Sequence, residues 1–286
     1  MKKFKYFIQA IIIFLFFFIF KIIGLNISRK ISSKIMQKLG AFFRSKEVIE
    51  KNFSYALPNL SLDEKNMIIN NMWSSYGKIL AEYIFIKKYR FSKNNSRIQV
   101  VGQDIINEIK SNNEKVIFFS GHFDNFELMA MYLEKSGLDI TAVYRPLNNI
   151  FLNPFMEKIR TRYICKKQVK KGLAGTKQIL KNFKNGSSIA LMIDQRVSQG
   201  IRNDFFGKKA LTTTIPAQFV KKFKCRTVPI YIERDKNNNF KIEIFDPISF
   251  SNNETIETIT SKLNKKLEGM ILHNPNQWIW THNRWK

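Results

Sequence analysis

From Tyr6 to Leu25 the chain is apolar except for Gln9 and Lys21, with a centre reading Ala10-Ile-Ile-Ile-Phe-Leu-Phe-Phe-Phe-Ile-Phe20. About twenty such residues form a helix long enough to cross the hydrocarbon of a bilayer, so any fold must give this segment lipid or a large apolar partner. Lys2, Lys3 and Lys5 precede it like the charged start of a signal peptide. The exit Lys21-Ile-Ile-Gly-Leu-Asn-Ile27 has no small-x-small cleavage site, which favours an uncleaved anchor. Arg29, Lys30, Lys34 and Lys38 follow and balance the leading lysines, so charge sets no orientation, and a single span and an interfacial helix both stay open.

Past the anchor, residues 29–90 lack strand alternation and read as helices interrupted at Leu57-Pro58-Asn59. Ser61 with Glu64 predicts a capping box at the next helix start. Trp73, Tyr76, Ile79, Leu80, Tyr83 and Ile84 recur at helical spacing and read as core. From Arg97 onward short β-rich runs alternate with helical ones, at Ile98–Gly102, Lys115–Ser120, Ile140–Tyr144, Ser188–Ile193, Thr227–Ile232 and Phe240–Phe245. This pattern predicts an α/β fold: a central mixed, partly parallel sheet flanked by helices, preceded by the N-terminal transmembrane or interfacial helix and a helical lead-in. The expected division is 1–28 anchor, 29–95 lead-in and 96–286 α/β core. In such sheets ligands collect at the carboxyl ends of strands, here Gly121-His122, Arg145-Pro146 and Asp194-Gln195.

Forty-eight Lys and Arg against 22 Asp and Glu give a formal charge of +26, which suits an anionic lipid surface, an acidic carrier protein or nucleic acid. Abundant Lys, Ile, Asn and Phe equally fit an AT-rich genome. Cys165 and Cys225 lack CxxC spacing, and with three histidines a structural zinc site is not indicated, so no metal is expected. There is no GxSxG, P-loop or GxGxxG signature of a serine esterase, NTPase or dinucleotide enzyme.

His122 follows a buried-type strand, and Glu127 opens the helix expected over Asn125–Ser136. Five residues apart across a strand-to-helix turn, the carboxylate can reach back to orient the imidazole and stabilise its protonated form, while the helix dipole favours the neutral base at rest. Asp124-x-x-Glu127 also fits a capping box in which Glu127 only satisfies a backbone N–H. His282 is the rival base, and His273, in an apparent C-terminal helix, reads as structural.

The segment Gly121-His122-Phe123-Asp124-Asn125-Phe126-Glu127 resembles the HX4D/E motif of the lysophospholipid and glycerophosphate acyltransferase superfamily, and in its wording the bacterial lipid A secondary acyltransferases of the lauroyl/myristoyl type. Further matches follow in order: Val143-Tyr144-Arg145-Pro146 with Asn149, Leu191-Met192-Ile193-Asp194-Gln195, Phe205-Phe206-Gly207 with Thr212, and Trp280-Thr281-His282-Asn283-Arg284-Trp285-Lys286. The resemblance implies transfer of an acyl group from an acyl carrier protein thioester to a hydroxyl of a lipid A precursor, with His122 as base and Glu127 as its partner. It implies no cofactor, and a site on the cytoplasmic side of a bacterial inner membrane. Arg145, Asn149, Asp194 and Gln195 are the expected substrate-binding residues. Arg145 or donors at the helix start would stabilise the oxyanion, Arg145 would otherwise bind a phosphate, and Asp194 would otherwise cap a loop. Phe205 and Phe206 wall an acyl groove or pack the core, and Trp280, Trp285 and His282 are candidates for the bilayer interface. Phe126 stands where many relatives carry Trp and Asp124 where Gly is frequent, which leaves acyl-length preference open. Other acceptors, such as a lysophospholipid, aminolipid or other glycolipid, fit the same motifs. A membrane-anchored nucleic-acid binder is the remaining alternative, but the run Lys166–Lys171 has no interleaved aromatics, so no nucleic acid is expected.

Overall fold

The computed structural model describes residues 2–92 and 97–286, so the boundary expected at 95/96 lies outside the described residues. Five helices come first: α1 (Lys2–Ile23), α2 (Leu25–Leu39), α3 (Lys46–Ala56), α4 (Leu62–Glu82) and α5 (Ile86–Arg90). Helices α1 and α2 meet at Gly24, whose φ of 79° lies in the left-handed region that side-chain-bearing residues avoid. The Ser61–Glu64 capping box is formed at the start of α4. Helices α2 and α4 cross backbone to backbone: a Cβ on Gly77 would stand 2.2 Å from the Ser32 carbonyl oxygen. Only a glycine permits that approach, and it brings the polar face of α2 onto the end of α4.

The rest is α/β, in the order β1 (Ile98–Val101), α6 (Gln103–Ser111), β2 (Ile117–Ser120), α7 (Glu127–Lys135), β3 (Ile140–Tyr144) and α8 (Asn153–Ile159), which ends in a π turn over Arg160–Ile164. Then come β4 (Lys167–Lys170), α9 (Leu173–Lys184), β5 (Ser188–Met192), β6 (Ile201–Phe205), β7 (Lys208–Thr212), α10 (Ile215–Phe223), β8 (Thr227–Arg234), β9 (Phe240–Ile244) and α11 (Ile256–His273). Seven strands form one sheet in the order β1-β9-β8-β2-β5-β3-β4. It is parallel from β8 to β4 and turns antiparallel only between β8 and β9. The central strand β2 is buried at every residue, as its unbroken Ile-Phe-Phe-Ser run requires of a strand covered on both faces.

Two regions read differently in sequence. The lysine run is strand β4, in which Val169 alone is buried; lysines along an edge strand deter pairing with another chain and also mask its alternation. Strands β6 and β7 form a hairpin turned by Phe206 and Gly207, with φ of 52° and 67°. Phe205 is fully buried and packs against Trp285, its ring centroid 5.5 Å away, so it belongs to the core. The C-terminal tryptophans are core too and do not reach a surface: Trp280 is buried 4.4 Å from the Phe53 ring, and Trp285 donates its indole N–H to the Phe205 carbonyl. Aromatic identity alone cannot separate an interfacial tryptophan from one that closes a core.

Candidate active site

Parallel pairing sets Ser120 of β2 beside Met192 of β5. Two residues beyond each strand end lie His122 and Asp194, and this shared offset brings them together. The imidazole Nδ1 is 2.7 Å from Asp194 Oδ1, and the backbone N–H of His122 donates to Oδ2 at 2.9 Å. The Trp278 indole donates to Oδ2 as well, at 2.9 Å. Asp194 is fully buried, which pushes its carboxyl up, but the charge and hydrogen bonds of His122 and the indole donor outweigh burial and bring it down to about 2. An ionised Asp194 accepts from Nδ1–H, which leaves Nε2 as the lone-pair nitrogen facing the cavity. Gln195 sits 3.5 Å from that Nε2, too long for a strong bond but close enough to flank a bound substrate.

Glu127 takes a different place from the one expected. Its Oε1 accepts from Arg160 Nε at 2.8 Å, from Arg160 Nη2, and from the Tyr83 hydroxyl. The carboxylate on the imidazole is therefore Asp194. The cause is local: α7 begins only at Glu127, and the turn before it is irregular, with Asp124 at φ 32° and Phe123 bridged to Trp278. The carboxylate consequently leaves the helix start toward α4 and the π turn. Nor does the capping box form, because Asp124 is taken by Arg234, whose Nε lies 3.0 Å from Oδ1. Arg160 is 8% exposed and lines the cavity, and its buried Nη1 has no hydrogen-bond partner among the described residues. Burial works against its charge, and the Glu127 carboxylate more than compensates.

The cavity has a volume of about 610 Å³ and opens at the carboxyl edge of the sheet. Its floor runs inward between β2, β3, β5 and α7 along Phe119, Met129, Ala130, Leu133, Ala142 and Ile164, an apolar slot. Its mouth is polar and basic, with Arg44, Arg145 and Lys171. Strands β3 and β4 pair Tyr144 with Lys170, so Arg145 and Lys171 emerge side by side. Burial and then the Arg145 charge both push the Lys171 ammonium down. Asp194, deeper in the site, pulls it the other way by charge, but among the described residues neither Arg145 nor Lys171 forms an ion pair, which leaves two neighbouring cations available to an anion at the mouth.

Asn149 does not line the cavity. Its Oδ1 accepts from the N–H groups of Phe151 and Leu152 at 3.0 and 3.2 Å, and its amide donates to the Tyr6 carbonyl in α1 at 2.8 Å. A residue expected to bind substrate instead ties a loop to the anchor helix, since all its polar atoms are already satisfied.

Residues 1–286 match the family model described as bacterial lipid A biosynthesis acyltransferase. The chain belongs to that family. It is 23% identical to the lipid A biosynthesis myristoyltransferase of Escherichia coli (strain K12), over 85% of this chain and 75% of that one. The lipid A biosynthesis lauroyltransferase of the same organism is 22% identical, over 85% and 79%. A solved structure, the 1-acyl-sn-glycerophosphate acyltransferase of Thermotoga maritima, overlays with a TM-score of 0.42 at 12% identity, covering 90% of this chain and all of that one.

In this acyltransferase His282 also reaches the cavity wall. Burial pushes its imidazole down to about 4, so it is neutral at ordinary pH, and its Nδ1 has no hydrogen-bond partner among the described residues. Asn52 of α3 fixes it by donating to the carbonyls of Trp280 and His282 at 2.7 and 2.8 Å. Among the described residues no carboxylate bonds the His282 ring, whereas Asp194 bonds that of His122. Sequence reading missed Arg160, Trp278 and Tyr83. None sits in a motif, and only the spatial closure of the π turn, the segment after α11 and the residue that follows α4 brings them to the site.

Proposed function

We propose that the protein transfers a fatty acyl group from an acyl carrier protein thioester to a hydroxyl of a lipid A precursor, with His122 as general base. The observation that carries this reading is the Asp194–His122 pair at the inner end of a basic mouth and beside an apolar slot. The acyl chain lies in the slot past Ala130 and Leu133, which places the thioester carbonyl at the imidazole. The acceptor hydroxyl gives its proton to Nε2 as its oxygen attacks the carbonyl carbon, and Asp194 holds the resulting imidazolium. The tetrahedral oxyanion then collapses with loss of the carrier thiolate, which takes the proton back from His122. The free Nη1 of Arg160 is a donor for the developing negative charge, with Glu127 and Tyr83 fixing the guanidinium. Arg145 and Lys171, with Arg44, meet phosphate groups at the mouth, on the acceptor or on the carrier's prosthetic arm.

The test is acyl transfer by purified enzyme in detergent, with acyl carrier protein loaded with a fatty acid and a phosphorylated lipid A precursor, the product weighed by mass spectrometry. The expected product is heavier by one acyl group, and His122→Ala abolishes it while the protein stays folded. Retained transfer by that variant, or acylation of a lysophospholipid in place of the glycolipid, overturns the assignment.

A further inference from the structure

Helix α1 is apolar around its whole circumference, and the fold accounts for both sides. Tyr6, Gln9, Ala10, Ile13, Phe17 and Phe20 are buried or half-buried, a stripe at three- and four-residue spacing facing the body. The opposite stripe, Phe4, Ile8, Ile11, Leu15, Phe18 and Ile22, is exposed at the same spacing. The inner side is held at separate points between Tyr6 and Phe20: Ala10, Phe17 and Phe20 are buried, while Phe7 and Phe14 at its edge touch the body and stay partly exposed. Phe7 packs edge-on against Phe151, Phe14 and Phe17 pack on Phe155, and Asn149 donates to the Tyr6 carbonyl. From Tyr6 to Phe20 a helix advances about 21 Å, most of the ~30 Å of hydrocarbon a spanning helix must cross.

Spanning would therefore drag the body into lipid. With Phe14 and Phe17 at mid-membrane, Phe155 would be there too, and Lys158 and Arg162, both exposed on the same α8 and π turn, would lie within about 10 Å of it whatever the direction of α8. Ionised side chains facing hydrocarbon at that depth are strongly unfavourable. A helix lying in the plane of the bilayer meets no such conflict: one side is covered by protein, the other by acyl chains, and an all-round apolar composition follows.

The loop held to α1 continues this face. Leu147, Ile150 and Phe151 are exposed, and Leu147 also lines the cavity mouth beside Arg145. Lys2, Lys3 and Lys5 stand at one end of α1 and the chain carries +26, which selects a bilayer containing anionic lipid as the occupant.

We infer that α1 is an in-plane anchor that does not cross the membrane, and that the Leu147–Phe151 loop enters the same leaflet, setting the cavity mouth at the lipid surface. A lipid acceptor then reaches the site without leaving its leaflet. The inference rests on the seating of α1 and holds whatever acyl donor or acceptor is used.

Two measurements test it, neither reading activity. Full-length protein in sealed vesicles of phosphatidylethanolamine and phosphatidylglycerol carries a single cysteine in a C165A/C225S background, at Lys3→Cys, Lys30→Cys or Lys184→Cys. A membrane-impermeant maleimide added outside is expected to label all three sites from the side on which Lys184→Cys is labelled. Labelling of Lys3→Cys from the other side, or from neither while it reacts in detergent, overturns the proposal. Separately, Ile150→Asp is expected to weaken vesicle binding about tenfold in otherwise unaltered protein with α1 present. Binding within twofold of the parent removes the loop from the membrane face and overturns that half of the inference.

Discussion

Asp194→Asn separates the orienting carboxylate seen here from the one expected in the motif. Three donors converge on Asp194: the Nδ1–H and backbone N–H of His122, and the Trp278 indole. An asparagine offers one oxygen and an NH2 group, so at least one donor faces another donor, and the cheapest relief is for the imidazole to carry its proton on Nε2. The base is then absent from the cavity side. A loss on the order of 10³–10⁴ in kcat is expected, the scale found when an orienting carboxylate is replaced by its amide in a triad. Stability changes less. A carboxyl brought from 3.8 to about 2 by its partners adds about 2 kcal/mol, complete above pH 3.8 and lost as pH falls through about 2. Denaturant unfolding at pH 7 should therefore show a folded variant, and steady-state transfer with saturating donor should show the lost kcat with a nearly unchanged KM. Glu127→Gln is the comparator. Should Asp194→Asn fold and keep kcat within tenfold while Glu127→Gln collapses it, the reasoning from Asp194 is wrong and Glu127 orients the imidazole in solution.

Removing Glu127 altogether has a different signature. Glu127→Ala strands the buried Arg160 guanidinium and should lower unfolding stability by about 3–5 kcal/mol in denaturant titration, with an Arg160→Leu partner substitution restoring part of it. Arg145→Ala with Lys171→Ala should raise KM for a phosphorylated substrate at least tenfold and flatten its salt dependence, with kcat within a few-fold. His282, pushed from 6.5 to about 4 by burial, is neutral when folded but protonates when unfolded, so it costs stability as pH falls from 6.5 toward 4. Thermal unfolding of His282→Asn should lose that part of the pH slope.

How much of this was legible in the sequence follows from what each signal depends on. Period and turn chemistry are local, so the six β-rich runs, the Ser61 cap and the helical lead-in are found where patterning puts them. Strand β4 escaped because four of the six residues from Lys166 to Lys171 are lysines and a single Val169 carries its burial. Hairpin β6–β7 escaped because its charged residues, Arg202, Asp204, Lys208 and Lys209, dilute the alternation. At the candidate site, His122 was singled out from its own turn. Its partner depends on register between β2 and β5, strands 68 or more residues apart in sequence, a property of pairing that no local spacing encodes. Glu127, five residues away, looked nearer only because distance along the chain is visible and direction off a helix start is not.

The helical lead-in reaches the reaction centre through charge. Glu82, at the end of α4, is fully buried and accepts from Arg29 of α2, from both Arg234 terminal nitrogens and from Asn125 at 2.7 Å. Arg234, at the end of β8, also holds Asp124. Two cations and two anions thus close a neutral buried cluster around Asp124 and Asn125, in the turn between His122 and Glu127 where Asp124 is left-handed. Burial alone would push the Glu82 carboxyl up, and the two arginines bring it below its ordinary value. Such a cluster is a poor source of net stability, because desolvation offsets most of the attraction, but it tolerates no missing member. Its consequence is geometric: the turn that carries His122 is braced by helices that composition alone would assign to a separate unit. Glu82→Gln keeps the shape and removes one charge, leaving two arginines facing a single carboxylate, Asp124. A stability loss of about 3 kcal/mol or more is expected, and in the folded fraction a lower kcat with KM held, since Gln195 and the cavity mouth are untouched. A variant as stable as the parent, or one that changes KM alone, would show that the lead-in supports the fold without positioning the base.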